Sequence, residues 1–273
     1  MVAADIDATA PEGTTDGALD RRRVILTRIA VIAAILGVWQ LVISTGLVDP
    51  FWISSPALIA QELWHLVEGG TLVSDVAVTI YEALIAFVVS SALGIVCGLL
   101  LARSPFWDEV LAPLILALNS LPRVALAPLI ILWFGIGVLA KVVTAFTLVF
   151  FILLVNTLGG AKNVDNDILT IARLMGASER DILWKVTFPS ALPWIFTGLN
   201  LGLTYSLLGV IVAEILASNH GLGYLIAASA ASFNTAGVFA GLIMLAVVAW
   251  LFSLAMRKLE ARLLRWKPSL TSA

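Results

Sequence analysis

Long apolar runs separated by short polar intervals set the pattern of this chain. They cover residues 24–48, 72–102, 110–134, 141–158, 193–216 and 238–256. Each is close to or above the roughly 20 residues that cross a hydrocarbon core as a helix. None shows the two-residue alternation of a lipid-facing barrel strand, and backbone groups in lipid must be satisfied internally, so the spans are predicted as helices. The expected fold class is all-α, a polytopic membrane protein with six transmembrane helices.

Punctuation refines the elements. Ser55 followed by Pro56 reads as a helix start, and Leu58, Ile59, Leu63, Leu66 and Val67 continue at near-helical spacing up to Gly69 and Gly70. That predicts a short amphipathic helix at the outer interface. In the second run Ala86, Ser90, Gly94, Gly98 and Ala102 recur every fourth residue, a stripe that lets another helix backbone approach closely. Gly198 and Gly202 repeat the device in the fifth run. Pro113, Pro122 and Pro128 all fall in the third run, which predicts a kinked or broken span. Gly135, Ile136 and Gly137 make an outer turn, as do Asn219, His220 and Gly221.

Charge orients the spans. Arg21, Arg22, Arg23 and Arg28 flank the first run, and Arg257, Lys258, Arg262, Arg265 and Lys267 follow the last. The positive-inside bias puts both termini in the cytoplasm, as an even span count requires. The first run is too long for a signal-peptide core and reads as an uncleaved span. Lys141, at the outer end of the fourth span, is expected to snorkel to the interface. The expected division is a disordered cytoplasmic tail at 1–23, a six-helix transmembrane domain at 24–260 with a cytoplasmic loop at 159–190, and a cytoplasmic tail at 261–273. With 60% hydrophobic and 12% charged residues, the chain falls far from the soluble class. Its single cysteine, Cys97, excludes an internal disulfide and reads as a small core residue.

The longest polar interval has an order of its own. Ile168, Ile171, Ala172 and Met175 share a helix face, Gly176 stops that helix, and Ser178 with Asp181 reads as a capping box opening a second one. Ile182, Leu183 and Val186 give the second helix an apolar side, and Pro189 is expected to close it before the fifth span. Any polytopic protein can carry an amphipathic loop helix. The spacing here resembles the EAA motif of ABC importer permeases: Thr170, Ile171 and Ala172 stand at the triplet, Gly176 at the glycine, and Val186, Thr187, Phe188 and Pro189 at the Ile-x-Leu-Pro end. Thr170 and Ile171 depart from the usual first two triplet residues. Ala127 to Leu129, Leu132 to Gly137, Gly176 to Ser178 and Pro189 to Pro193 further resemble permeases of nitrate, taurine and aliphatic-sulfonate importers.

That resemblance implies a type I (MetI-like) ABC importer permease of the bacterial inner membrane, working as a dimer, most simply a homodimer. It implies two ATP-binding subunits docked at the loop, with Ala172, Arg173, Met175, Gly176, Ala177 and Pro189 as coupling residues, and an external or lipoprotein substrate-binding protein. No cofactor is expected on this chain; ATP and Mg would sit in the partner ATPase. Membrane lipid is an expected partner and nucleic acid is not. The sequence has no Gly-x-x-x-x-Gly-Lys-Ser/Thr, so this chain is not the ATPase and no enzyme activity is expected of it.

Charged residues inside spans mark a pathway or a partner, and Glu82, Arg123 and Glu214 qualify. Arg123, just past Pro122, reads either as an anion site or as the structural partner of Glu214. Glu82 reads either as lining a polar cavity or as bonding a second subunit. Asn119, Ser120, Asn200 and Tyr205 are further candidates for the pathway. The competing function is an ion-coupled secondary transporter using Glu82 and Glu214, although the chain shows no repeated half. A membrane-embedded enzyme has no support, since His65 and His220 are isolated. The substrate class implied is a small anion or organic acid such as a sulfonate, taurine or nitrate.

Overall fold

The computed structural model describes residues 16–263. The chain divides into two units, residues 1–58 and 59–273. The first holds helix α1 (Asp16–Ser44), the short α2 (Pro50–Ile53) and the first residues of α3 (Pro56–Glu68). Asp49 caps α2 by accepting from the Phe51 amide at 2.9 Å, and Trp39 Nε1–H donates to the Ser54 carbonyl at 3.2 Å. Ser55 caps α3 through the Leu58 amide. Residues 16–23 of the expected disordered tail form the first turns of α1, because arginine, leucine and alanine favour helix ahead of the apolar run. The rest of that tail, and 264–273 of the C-terminal one, lie outside the described residues.

The second unit is built on three long helices, α4 (Thr71–Arg103), α7 (Val138–Lys162) and α10 (Phe188–Leu216), with α7 packed against both others. Lipid is as apolar as leucine, so close packing rather than hydrophobic exclusion drives this association. The small-residue stripes supply it. A Cβ on Gly94 would lie 2.7 Å from Leu153 Cβ, and one on Gly209 would lie 2.5 Å from Ala145 Cα. Gly202 abuts Leu153 and Val149 in the same manner. Leu72, Ala83, Ala86, Ala145, Leu207, Val210, Leu222 and Val248 close the largest apolar cluster.

The third run is broken. Helix α5 (Pro105–Ser120) stops before Pro122, a single tight turn covers Arg123–Leu126, and α6 (Ala127–Phe134) leaves at 77°. Among the described residues five helices are long and apolar enough to cross a membrane, six when the bent pair is one span. The loop holds α8 (Asn166–Leu174) and α9 (Glu179–Ile182). The last elements are α11 (Leu222–Ala231), too short to cross, and α12 (Thr235–Leu263).

Pro189 does not end the second loop helix. From α9 the chain continues helically into α10, through a widened stretch at Leu183–Thr187 in which the Phe188 amide donates to the Leu183 carbonyl, five residues back. Proline inside a regular, unbroken helix would clash with the carbonyl four residues before it. Opening the helix by one residue per turn removes that conflict, so the proline is absorbed where it was expected to terminate.

Candidate functional site

Three groups of candidate residues separate in space. The first is a buried polar ladder at the end of the bundle away from the loop. On α4, Asp75, Thr79 and Glu82 occupy one face at four- and three-residue spacing. Asp75 Oδ1 accepts from the Gly221 amide at 2.8 Å, and Thr79 Oγ1 accepts from the Leu222 amide at 2.9 Å while donating to Glu214 Oε1 at 2.8 Å. Glu214 Oε2 accepts from the Gly223 amide at 2.7 Å. The turn at Gly221, with φ +108°, has no room for a side chain: a Cβ there would lie 2.1 Å from Glu214 Oε1. These bonds hold the start of α11 against α4 and α10.

Lys141 belongs to the same ladder. Its ammonium donates to Glu82 Oε1 at 2.8 Å, with both residues almost wholly buried. The expected snorkelling lysine is therefore an internal counter-ion, and no other cation pairs with that carboxylate among the described residues. The alternation of Asp75, Thr79 and Glu82 on an otherwise apolar helix is the sequence signal that announces this stripe. Its partner across α7 has no such local signal.

The second group surrounds Arg123, which does not pair with Glu214. The break after α5 turns the guanidinium toward the middle of α7. It donates through Nε to the Leu118 carbonyl at 3.4 Å, through Nη1 to Thr147 and Leu148 carbonyls at 3.3 and 3.5 Å, and through Nη2 to Asn119 Oδ1. It also lies over the Phe151 ring, 4.5 Å from the centroid. Glu214 is engaged instead with Thr79 and Gly223 in the ladder. Every partner of Arg123 is neutral, and no carboxylate pairs with it among the described residues. Asn119, Leu121, Arg123, Leu148, Ile152 and Tyr205 line one cavity of about 260 Å³. Sequence reasoning named Asn119, Arg123 and Tyr205 separately; the fold brings them to one wall. Asn200 lies elsewhere, donating to Glu260 Oε2 at 3.1 Å, and Ser120 bonds its own helix at the Leu116 carbonyl.

The third group is the loop. Asp165 caps α8 through the Asp167 amide at 2.9 Å. Gly176 at φ +82° reverses the chain, and the Ala177 amide reaches back to the Ala172 carbonyl at 3.0 Å. Ser178 and Asp181 form the reciprocal capping box, and Arg173 Nε meets Glu179 Oε1 at 3.2 Å between the two helices. Leu174 and Met175 at the tip are 82% and 83% exposed, and Ile168 and Ile171 extend the same apolar face. Leu174, three residues after Ile171, widens the face that the spacing of Ile168, Ile171, Ala172 and Met175 predicted.

A family model described as binding-protein-dependent transport system inner membrane component matches residues 90–265. A Bacillus subtilis permease protein named for aliphatic sulfonates, SsuC, is 33% identical over 87% of this chain and 86% of its own length. The taurine transport system permease protein TauC of Escherichia coli is 30% identical over 89% of this chain and 90% of its own. Among solved structures, a chain of the MetNI methionine ABC transporter in an inward-facing conformation superposes with a TM-score of 0.63 at 17% identity, covering 70% of this chain and 95% of that one.

Proposed function

We propose that this chain, which belongs to the family of inner membrane components of binding-protein-dependent transport systems, pairs with a second copy of itself to form the translocation pathway for a small organic sulfonate or related anion. Membership makes it the non-enzymatic, multi-pass permease subunit of an ABC importer, with an ATPase and a binding protein as partners. The ion-coupled carrier has no support from its relatives. The finer reading is ours: two copies of this chain, two ATPase subunits, and a bacterial inner membrane with both termini cytoplasmic.

One observation carries the substrate class. Arg123 is a permanently charged group within a broken span, held only by neutral acceptors, on the wall of a cavity. An uncompensated buried charge is costly, and the cost is relieved when an oppositely charged ligand arrives. Two N–H donors on a planar guanidinium also suit a sulfonate. The relatives named for sulfonates and taurine support the same class. Asn119 positions the guanidinium, and Tyr205 offers a hydroxyl to the same cavity.

The loop is proposed as the ATPase contact, with Ala172, Arg173, Met175, Gly176 and Ala177 at its tip. Pro189 acts differently, as part of a continuous helix from α9 into α10 through which movement at the loop reaches the pathway. ATP and Mg belong to the partner.

The test is ATP-driven uptake of labelled 2-aminoethanesulfonate by vesicles holding the assembled transporter and its binding protein. Arg123→Ala is expected to lower uptake by about 10- to 150-fold, the value of a charge-assisted hydrogen bond, and Arg123→Lys to restore part of it. Unchanged uptake at normal protein levels sinks the anion site.

A further inference from the structure

A second concave region, unrelated to Arg123, runs between α10 and α12. At the end of α12 that carries Arg257, Lys258 and Arg262, a cavity of about 350 Å³ is lined by Asn200, Phe252, Ser253, Met256, Arg257 and Glu260, among others. A further cavity of about 250 Å³, whose surface is entirely apolar, is lined by Leu208, Ile211, Val212 and Leu245. Both include Thr204, Leu207 and Ala249, so they form one groove with a charged mouth and an apolar floor.

Its dimensions match one leaflet. From Arg257 to Leu245 is about 18 Å along α12 at the helical rise, a little over half of the roughly 30 Å hydrocarbon thickness. Arg257 directly follows the apolar run 238–256, which sets it at headgroup depth on the side that the positive-inside bias makes cytoplasmic.

The mouth carries both signs of charge. Arg257 is exposed and makes no ion pair among the described residues. Glu260, one turn on, is half-buried, accepts only from Asn200 Nδ2 at 3.1 Å, and likewise pairs with no cation. Two opposite charges one turn apart, neither of them ion-paired among the described residues, are complementary to a ligand that presents an anion next to a cation. We propose that this groove binds a phospholipid with an ethanolamine headgroup: its phosphodiester meets Arg257, its primary ammonium donates to Glu260, and one acyl chain lies along Leu207, Leu208, Ile211 and Leu245. A choline headgroup has no N–H to give Glu260, and a glycerol headgroup brings no cation to it.

The full chain, purified in detergent, is offered equal amounts of phosphatidylethanolamine, phosphatidylcholine and phosphatidylglycerol with the same acyl chains, and retained lipid is read by native mass spectrometry. Phosphatidylethanolamine is expected to be retained about tenfold over either competitor. Arg257→Ala, which loses the contact to the phosphodiester that all three lipids share, lowers the total retained. Glu260→Gln, which keeps an acceptor for Asn200 and so preserves the fold, removes the excess over the choline lipid. Equal retention of the three lipids, preference for the glycerol lipid, or a preference unmoved by Glu260→Gln overturns the proposal. So does efficient disulfide formation between copies of a Leu208→Cys chain in membranes, which makes the groove an interface between copies.

Discussion

Glu82 and Lys141 meet between α4 and α7 with almost no exposure, so neither charge has water to fall back on. Removing one partner strands the other, at a cost of about 3–5 kcal/mol, whereas replacing both with apolar or neutral groups of similar volume costs far less. Lys141→Ala is therefore expected to abolish the folded, monodisperse protein or lower its thermal midpoint sharply, and Glu82→Gln with Lys141→Met to recover most of it. If the double variant is no better than the single ones, the pair is not the reason for their burial. At this scale the legible features are local. Gly176 and the Ser178–Asp181 box are where the spacing put them, since caps and left-handed turns involve residues a few positions apart. Which buried charge met which was not legible: the ladder joins residues 59 and 135 positions apart, and the choice depends on helix register.

Among the elements, the loop pair α8–α9 exposes Leu174 and Met175 far more than any stable surface needs. If this tip docks into an ATPase groove, a charge there is ruinous to binding and harmless to folding. Leu174→Asp with Met175→Asp should weaken co-purification with the ATPase by about 30-fold or more, as for loss of a central anchor. Thermal stability should stay within about 0.5 kcal/mol of the parent, as for exposed sites generally. Undiminished co-purification would move the docking surface elsewhere. The two loop helices and the break at Pro122 were legible because glycine and proline act on the backbone locally. The fate of Pro189 was not, since a proline both ends helices and sits comfortably at their first turn; the widened stretch at Leu183–Thr187 decided between them.

For the molecule as a whole, the basic clusters at both ends predict a common side. Reporter enzymes active only in the cytoplasm, fused before Met1 and after Ala273, should both be active, and fusions at Gly135 and Asn219 inactive. Opposite activity at the two ends would contradict an even number of crossings and require the α5–α6 pair to re-enter on one face. The run lengths and the composition determined by themselves that the chain is a helical membrane protein, because the bilayer admits few solutions and reads them through hydropathy. The three-helix core, the ladder that ties Gly221 to α4 and α10, and the gathering of Asn119, Arg123 and Tyr205 at one cavity were decided only by tertiary structure. Apolar helices present nearly uniform faces to lipid, so their register is chosen by small-residue fit and by buried polar pairing, neither of which is visible until the helices are side by side.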